Sequence, residues 1–243
     1  MKFTIITLFP NLIQTNINES IVKRAVEKKL IDVEILNLRD FSTLNNQQID
    51  DYQYGGGAGM VIMVEPVVKA IESCKTKDSL VLLTSPQGIT LNQCIAKEYS
   101  KNFKHIIIIC GHYEGFDERV LDYVDFEISI GDYILTGGEL PALILVDSIT
   151  RLINGVIKED SHINDSFENN LLDHPVYTKP LDFRGKKVPD VLISGHHAKV
   201  KDYRNKQRLK NTYNKRPDLI NYDTLSIDDI KYLKELKDSK GEN

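Results

Sequence analysis

The segment SIGDYILTGGELPALILVDSITR, residues 129–151, runs from the end of a β-rich stretch into a long apolar helix through a turn with two adjacent glycines. Pro141 is tolerated in the first turn of that helix, where its missing N–H would have no intrahelical acceptor anyway. Strand, glycine turn and helix in this order are the building unit of an α/β fold. Glycine turns at such joints commonly receive a phosphate, assisted by a cationic side chain. Here no Lys or Arg occurs before Arg151, and the charges are Asp132, Glu139 and Asp147. The turn therefore suits a neutral or cationic ligand read by backbone groups, which glycine lets approach closely.

The same alternation extends toward the N-terminus. KFTIITLF, DVEILNL, SLVLLTS, HIIIIC and DFEISIG read as strands, and ESIVKRAVEKKL and PVVKAIESCK as helices. Continuous apolar runs such as HIIIIC fit strands covered on both faces of a parallel sheet. Three further turns resemble the first: YGGGAGM at 54–60, TSPQG at 84–88 and CGHYEG at 110–115. None matches GxxxxGK[ST], and none is a GxGxxG opening a helix with an acidic residue downstream. The pattern predicts an α/β domain with a mostly parallel sheet over residues 1–157. It is followed by an acidic linker at 158–175 and a small, mainly α-helical C-terminal domain at 176–243.

Composition sets the class. The chain has 243 residues, 41% hydrophobic and 27% charged, with a net charge of −4. Any nucleic-acid surface must therefore be local. Cys74, Cys94 and Cys110 form no CxxC pair, which argues against a disulfide framework or zinc site and for a reducing cytoplasm. No signal-peptide core or membrane-length apolar run is present, so no membrane partner is expected. Residues 199–216 hold eight Lys or Arg against one acidic residue, with Tyr203 and Tyr213 interleaved. This fits an RNA backbone with bases stacked on tyrosine, or simply a solvated helix face. His196 and His197 read as turn residues, since no Cys or acidic partner has metal spacing.

LFP, YGGGAGMVIMVEP, LTSPQG, CGHYEGFDERV, SIGDYILTGGELPALILVDSITR, LLDHPVYTKP and VPDVLISGHHAKV occur in order between residues 8 and 200. Together they resemble the bacterial tRNA (guanine-N1)-methyltransferase family, TrmD, of the SPOUT superfamily. The resemblance covers nearly the whole chain. It implies a deep trefoil knot, a homodimer, and transfer of a methyl group from S-adenosylmethionine to the guanosine at tRNA position 37, with tRNA and not DNA as partner. It also implies a cofactor pocket lined by Ser85, Pro86, Gly111, Tyr113, Glu114, Gly115, Ile130, Gly131, Asp132, Tyr133, Ile134, Leu135, Gly137, Gly138 and Pro141. RNA contacts are implied at Gly57, Gly59, Lys199, Arg204 and Arg208.

Guanine N1 carries a proton at neutral pH, so its methylation calls for a base and for a donor aimed at the exocyclic oxygen. By resemblance Asp165 is the base and Arg151 the donor. On the residues alone, Asp165 with Glu168 spells a capping box for a short helix SFENNLL. Arg151 likewise reads as an i,i+4 partner of Asp147. A magnesium requirement is expected through tRNA folding or the active site, although no carboxylate cluster marks a protein site. Two positions depart from the family pattern: His112 stands where arginine is usual, and Ala58 replaces proline. The alternatives are another knotted RNA methyltransferase, a non-catalytic RNA-binding protein using only the basic segment, and a nucleotide-dependent enzyme on a doubly wound fold.

Overall fold

The structure is a computed structural model, and residues 1–157 and 165–239 are described here. Residues 158–164 of the expected linker and the last four residues lie outside the described residues. The chain divides into two units, Met1–Lys158 and Glu159–Asn243.

The first unit is an α/β sandwich around a five-stranded sheet. Its strands are β1 (Lys2–Thr7), β2 (Asp32–Asn37), β5 (Ser79–Thr90), β6 (His105–Ile109) and β7 (Phe126–Ser129). They lie in the order β2-β1-β6-β5-β7, and every pairing is parallel. The short antiparallel hairpin β3 (Asp50–Tyr52) and β4 (Met60–Ile62) stands apart from this sheet. The helices of the unit are α1 (Pro10–Ile17), α2 (Ser20–Glu27), α3 (Val64–Cys74), α4 (Gln93–Asn102) and α5 (Glu139–Thr150).

The apolar strands are buried on both sides, and the period of two divides their side chains between two cores. Phe3, Ile5, Leu80, Leu82, Ile106 and Ile108 join one core, which includes Ala142, Leu145 and Ile149 of α5. Ile6, Val81, Leu83, Ile107 and Ile109 join the other, with Val67, Ala70 and Ile71 of α3. Each fully buried isoleucine or leucine is worth about 1.5–3 kcal/mol relative to exposure. The expected mostly parallel α/β sheet is therefore what the chain forms. Helix α4 carries little sequence signal because its face is polar; Asn92 starts it by accepting the Ile95 N–H at 3.0 Å.

The second unit is mainly helical. Its helices α6 (Asp190–Ile193), α7 (His197–Lys215) and α8 (Ile227–Ser239) accompany a two-residue hairpin, β8 (Asp182–Phe183) with β9 (Lys186–Lys187). Leu171, Leu209 and Leu233 form its small core. Ser226 and Asp229 cap α8 reciprocally: the Ser226 hydroxyl accepts the Asp229 N–H at 3.2 Å, and the Asp229 carboxylate accepts the Ser226 N–H at 3.3 Å. The expected helix SFENNLL does not form. Phe167 and Asn170 adopt left-handed φ angles of 74° and 54°, which interrupt a right-handed helix. The Glu168 N–H donates to the Asp165 backbone carbonyl at 3.2 Å in a turn.

A polar cluster closes the N-terminal edge of the sheet. His105 is buried, with Nε2 2.9 Å from the Thr4 hydroxyl and Nδ1 2.8 Å from that of Ser79. Thr4 donates to Glu34, which pairs with Lys2 at 2.8 Å. Burial, with the nearby Lys2 ammonium, holds the His105 pKa below its ordinary 6.5. The Lys2 hydrogen bond holds Glu34 below its ordinary 4.5. Both groups bind protons more readily once unfolded, so both stabilise the fold toward higher pH and lose that contribution on acidification. Melting temperature is expected to fall first as pH drops below 6.5 and again below 4.5. His105→Gln is expected to flatten only the first step in a thermal-melt series, and an unchanged first step would remove His105 as its source.

Candidate functional site

The middle of β5 and the end of β6 meet the head of α5, and hydrogen bonds join them; residues 84–88, expected as a turn, lie within β5, where its register with β7 shifts. The Gly138 N–H donates to the Gly111 carbonyl at 2.7 Å. The Gly111 N–H donates to the Thr84 hydroxyl at 3.2 Å, which itself donates to the Ile109 carbonyl at 3.0 Å. This join has no room for side chains. A Cβ on Gly138 would lie 2.1 Å from the Thr84 hydroxyl and 2.6 Å from the Gly111 nitrogen. The glycine pair is thus a packing requirement, independent of any phosphate.

Two loops rise from this base. Tyr113 and Gly115 take positive φ angles of 57° and 116° in the loop after β6, and Gly131 takes 144° in the loop after β7. Ser129 steadies the second loop, its hydroxyl bridging the Gly131 N–H and carbonyl at 3.2 Å each. The first loop is braced by the β3–β4 hairpin. Glu114 N–H donates to Met60 at 3.1 Å, and Ile62 N–H to Gly115 at 2.9 Å. Gly59 lies against the Glu114 side chain, and Gly57 against that of Gln53. Tyr52 and Tyr54 of this hairpin are exposed.

The loops enclose a cavity of about 490 Å³ at the strand ends. Of the residues expected in the cofactor pocket, Ser85, Pro86, Gly111, Tyr113, Glu114, Gly115, Ile130, Gly131, Tyr133, Ile134, Leu135, Gly137, Gly138 and Pro141 line it. Asp132 is exposed and does not. Thr84, Gln87, His112 and Thr136, which lie within the glycine turns, line it as well, and so do Phe116, Glu118, Leu121 and Glu127, of which sequence spacing gives no sign. The lining contains Glu114, Asp117, Glu118 and Glu127 but no lysine or arginine. Asp117 holds Arg119 in a bidentate pair at 2.8 and 2.6 Å, which leaves the other three carboxylates to set the charge. Such a wall repels a polyphosphate and accepts a cation or a flat neutral group.

Behind the wall, Glu139 is 4% exposed and accepts the Thr7 hydroxyl at 2.7 Å. Burial and the Glu139 charge push the Cys110 thiol well above its usual pKa, so it behaves as a core group and not as a nucleophile. Arg151 forms the C-cap of α5, with its N–H on the Asp147 carbonyl at 3.1 Å. Asp165 is the first described residue of the second unit and is half-buried. Along α7, Lys199 and Arg204 are exposed, together with Lys201 and Lys210. Arg208, also expected at the RNA, is only 8% exposed. No group of three metal-ligating side chains occurs among the described residues. No helix among them is long and apolar enough to cross a membrane.

Comparison with known proteins is specific. A family model described as tRNA (Guanine-1)-methyltransferase TrmD matches residues 1–222. A tRNA (guanine-N(1)-)-methyltransferase of Mycoplasma capricolum subsp. capricolum is 64% identical over 237 residues, 98% of this chain and 99% of the relative. One from Spiroplasma kunkelii is 49% identical over 242 residues, 100% of this chain and 91% of the relative. One from Dictyoglomus turgidum is 47% identical over 238 residues, covering 98% and 97%.

The base of the pocket yields a direct test. Gly138→Ala must displace Thr84 or break the bond to Gly111, at an expected cost of about 1–3 kcal/mol. Gly55→Ala, at the hairpin turn with φ +87° and nothing within 4 Å, meets only backbone strain, about 1–2 kcal/mol. Chemical denaturation with a pocket-binding ligand present is expected to show that Gly138→Ala loses ligand stabilisation and Gly55→Ala keeps it.

Proposed function

The chain belongs to the tRNA (guanine-1)-methyltransferase TrmD family, an enzyme family, and on that premise we propose that it moves a methyl group from S-adenosylmethionine to N1 of the guanosine at tRNA position 37. The observation that carries this reading is the cavity at the strand ends, lined by carboxylates and glycine turns and by no lysine or arginine. A sulfonium is compatible with those carboxylates. Adenine and ribose edges can be read by backbone groups of the cavity loops, whose glycines let a flat ligand approach closely. S-adenosylmethionine, when bound, supplies an electrophilic methyl group.

The residues of the chain then have distinct tasks. The Asp165 carboxylate takes the proton from guanine N1, leaving the nitrogen lone pair free to attack. The negative charge that spreads to the exocyclic oxygen is met by the Arg151 guanidinium, whose planar fork suits a carbonyl oxygen. Lys199 and Arg204 on α7 hold the RNA backbone, and their contribution weakens with salt. The cytoplasm is the compartment in which this substrate is found.

We assign a homodimer on a separate observation. Leu140 and Ile144, one turn apart on α5, are 52% and 43% exposed, and Phe9 and Leu12 at the adjoining α1 are 44% and 40% exposed. Helices α1 and α5 pack together, so these residues mark an apolar face suited to a second copy.

Labelled S-adenosylmethionine offered with two tRNA transcripts, guanosine or adenosine at position 37, tests the reaction. Label is expected in 1-methylguanosine with the first transcript alone, and Asp165→Asn is expected to lose at least about 10²-fold in rate. Label in neither transcript, or in a ribose, would overturn the assignment. In sedimentation velocity, Ile144→Asp is expected to shift the dimer to monomer; a wild-type monomer active at the same concentration would refute the dimer.

A further inference from the structure

We propose that His112 is a positioning residue that pairs with the buried Glu139 across Gly137, and that this pair sets the affinity of the pocket for the S-adenosyl group. The proposal rests on the donor reading above for its ligand, but its geometry stands apart from that reading.

His112 Nδ1 is withdrawn from solvent and has no hydrogen-bond partner. Unpartnered buried nitrogens are rare, because the lost hydration is not replaced. The ring itself is held by edge contacts, with its centroid 4.9 Å from that of Phe9 and 5.4 Å from that of Tyr113. Glu139 presents the complementary need. One of its oxygens, Oε1, accepts the Thr7 hydroxyl, and a buried carboxylate is stable only when paired. Its position in the first turn of α5 gives it the positive end of the helix dipole.

Gly137 places the two groups face to face. A Cβ built there would lie 2.4 Å from Glu139 Oε2 and 2.5 Å from His112 Nδ1. The two atoms therefore flank the same glycine hydrogen, and any other residue would separate them. The groups around His112 leave Glu139 as its anionic partner on this side: Thr7 already donates to Glu139, the Cys110 thiol is buried and neutral, and Phe9 and Tyr113 contribute rings.

A proton on Nδ1 directed at Oε2 ties the loop after β6 to the head of α5. These are two walls of the cavity, and the loop carries Tyr113 and Glu114 into it. When the pair closes, those side chains are held where the ligand needs them. His112 acts through the loop rather than on the methyl group.

The test is a double-mutant cycle on binding of S-adenosylmethionine and S-adenosylhomocysteine by calorimetry. His112→Ala and Glu139→Gln are each expected to weaken binding about tenfold. The double variant is expected to be no weaker than the weaker single one, because the two share one interaction. His112→Arg, which places an N–H donor opposite Glu139, is expected to recover most of the loss, and the kinetic effect is expected on donor KM more than on kcat. Additive losses, or His112→Ala binding as tightly as wild type, would overturn the pair. Nitrogen-15 NMR of histidine-labelled protein without ligand gives an independent decision. A proton on His112 Nδ1 in wild type that is lost in Glu139→Gln supports the pair, and an identical signal in both refutes it. Wild-type protein that binds neither ligand would remove the donor reading, and the NMR result would still decide the pair.

Discussion

The structure around the cavity depends on one hydrogen bond, from the Gly138 N–H to the Gly111 carbonyl at 2.7 Å. It joins the end of a central strand to the start of a buried helix, with the Thr84 hydroxyl completing the join from the next strand. A bond this close between backbones excludes side chains on both sides, which is why glycines accumulate here. It also fixes where the irregular part of β5 and the loops after β6 and β7 can rise, and so where a cavity can open. Ligand sites in open parallel sheets lie beyond the carboxyl ends of the strands for the same topological reason.

Electrostatics then narrows what the cavity accepts. Its lining carries carboxylates without lysine or arginine, whereas the second unit exposes cations along α7, on the β8–β9 hairpin and on α8. The separation divides the work of the chain: a small cationic or neutral ligand is suited to the first unit, and a polyanion to the second. Arg208 shows that a charge run does not predict which members face outward. Helical geometry turns it inward beside Leu209 and Thr212, while Lys199 and Arg204 stay exposed.

Much of the fold was legible in the residues. HIIIIC and SLVLLTS fit strands covered on both faces, because a strand with one wet face alternates. The α5 segment announced itself by length, apolarity and its early proline. Helix α4 was not legible because its polar surface dilutes the period. SFENNLL read as a capped helix, yet Phe167 and Asn170 turn left-handed, a backbone choice that no side-chain pattern records. In the pocket, the glycine turns stood out, and the family motifs singled out most of the lining. Phe116, Leu121 and Glu127 did not stand out, because each is an ordinary residue made part of the wall by its neighbours.

The sequence by itself determined the alternation of strands and helices, the change of character after the first unit, and the absence of a phosphate-binding lysine from every glycine turn. These are local properties, carried by spacing and residue type. Only the tertiary structure decided which atoms meet. Thr7 and Glu139 are 132 residues apart and lie in hydrogen-bond contact, and His112 Nδ1 and Glu139 Oε2 both flank Gly137, where no side chain stands. Contacts of that kind depend on strand order and on the space a missing Cβ leaves, and neither is written in any single segment of the chain.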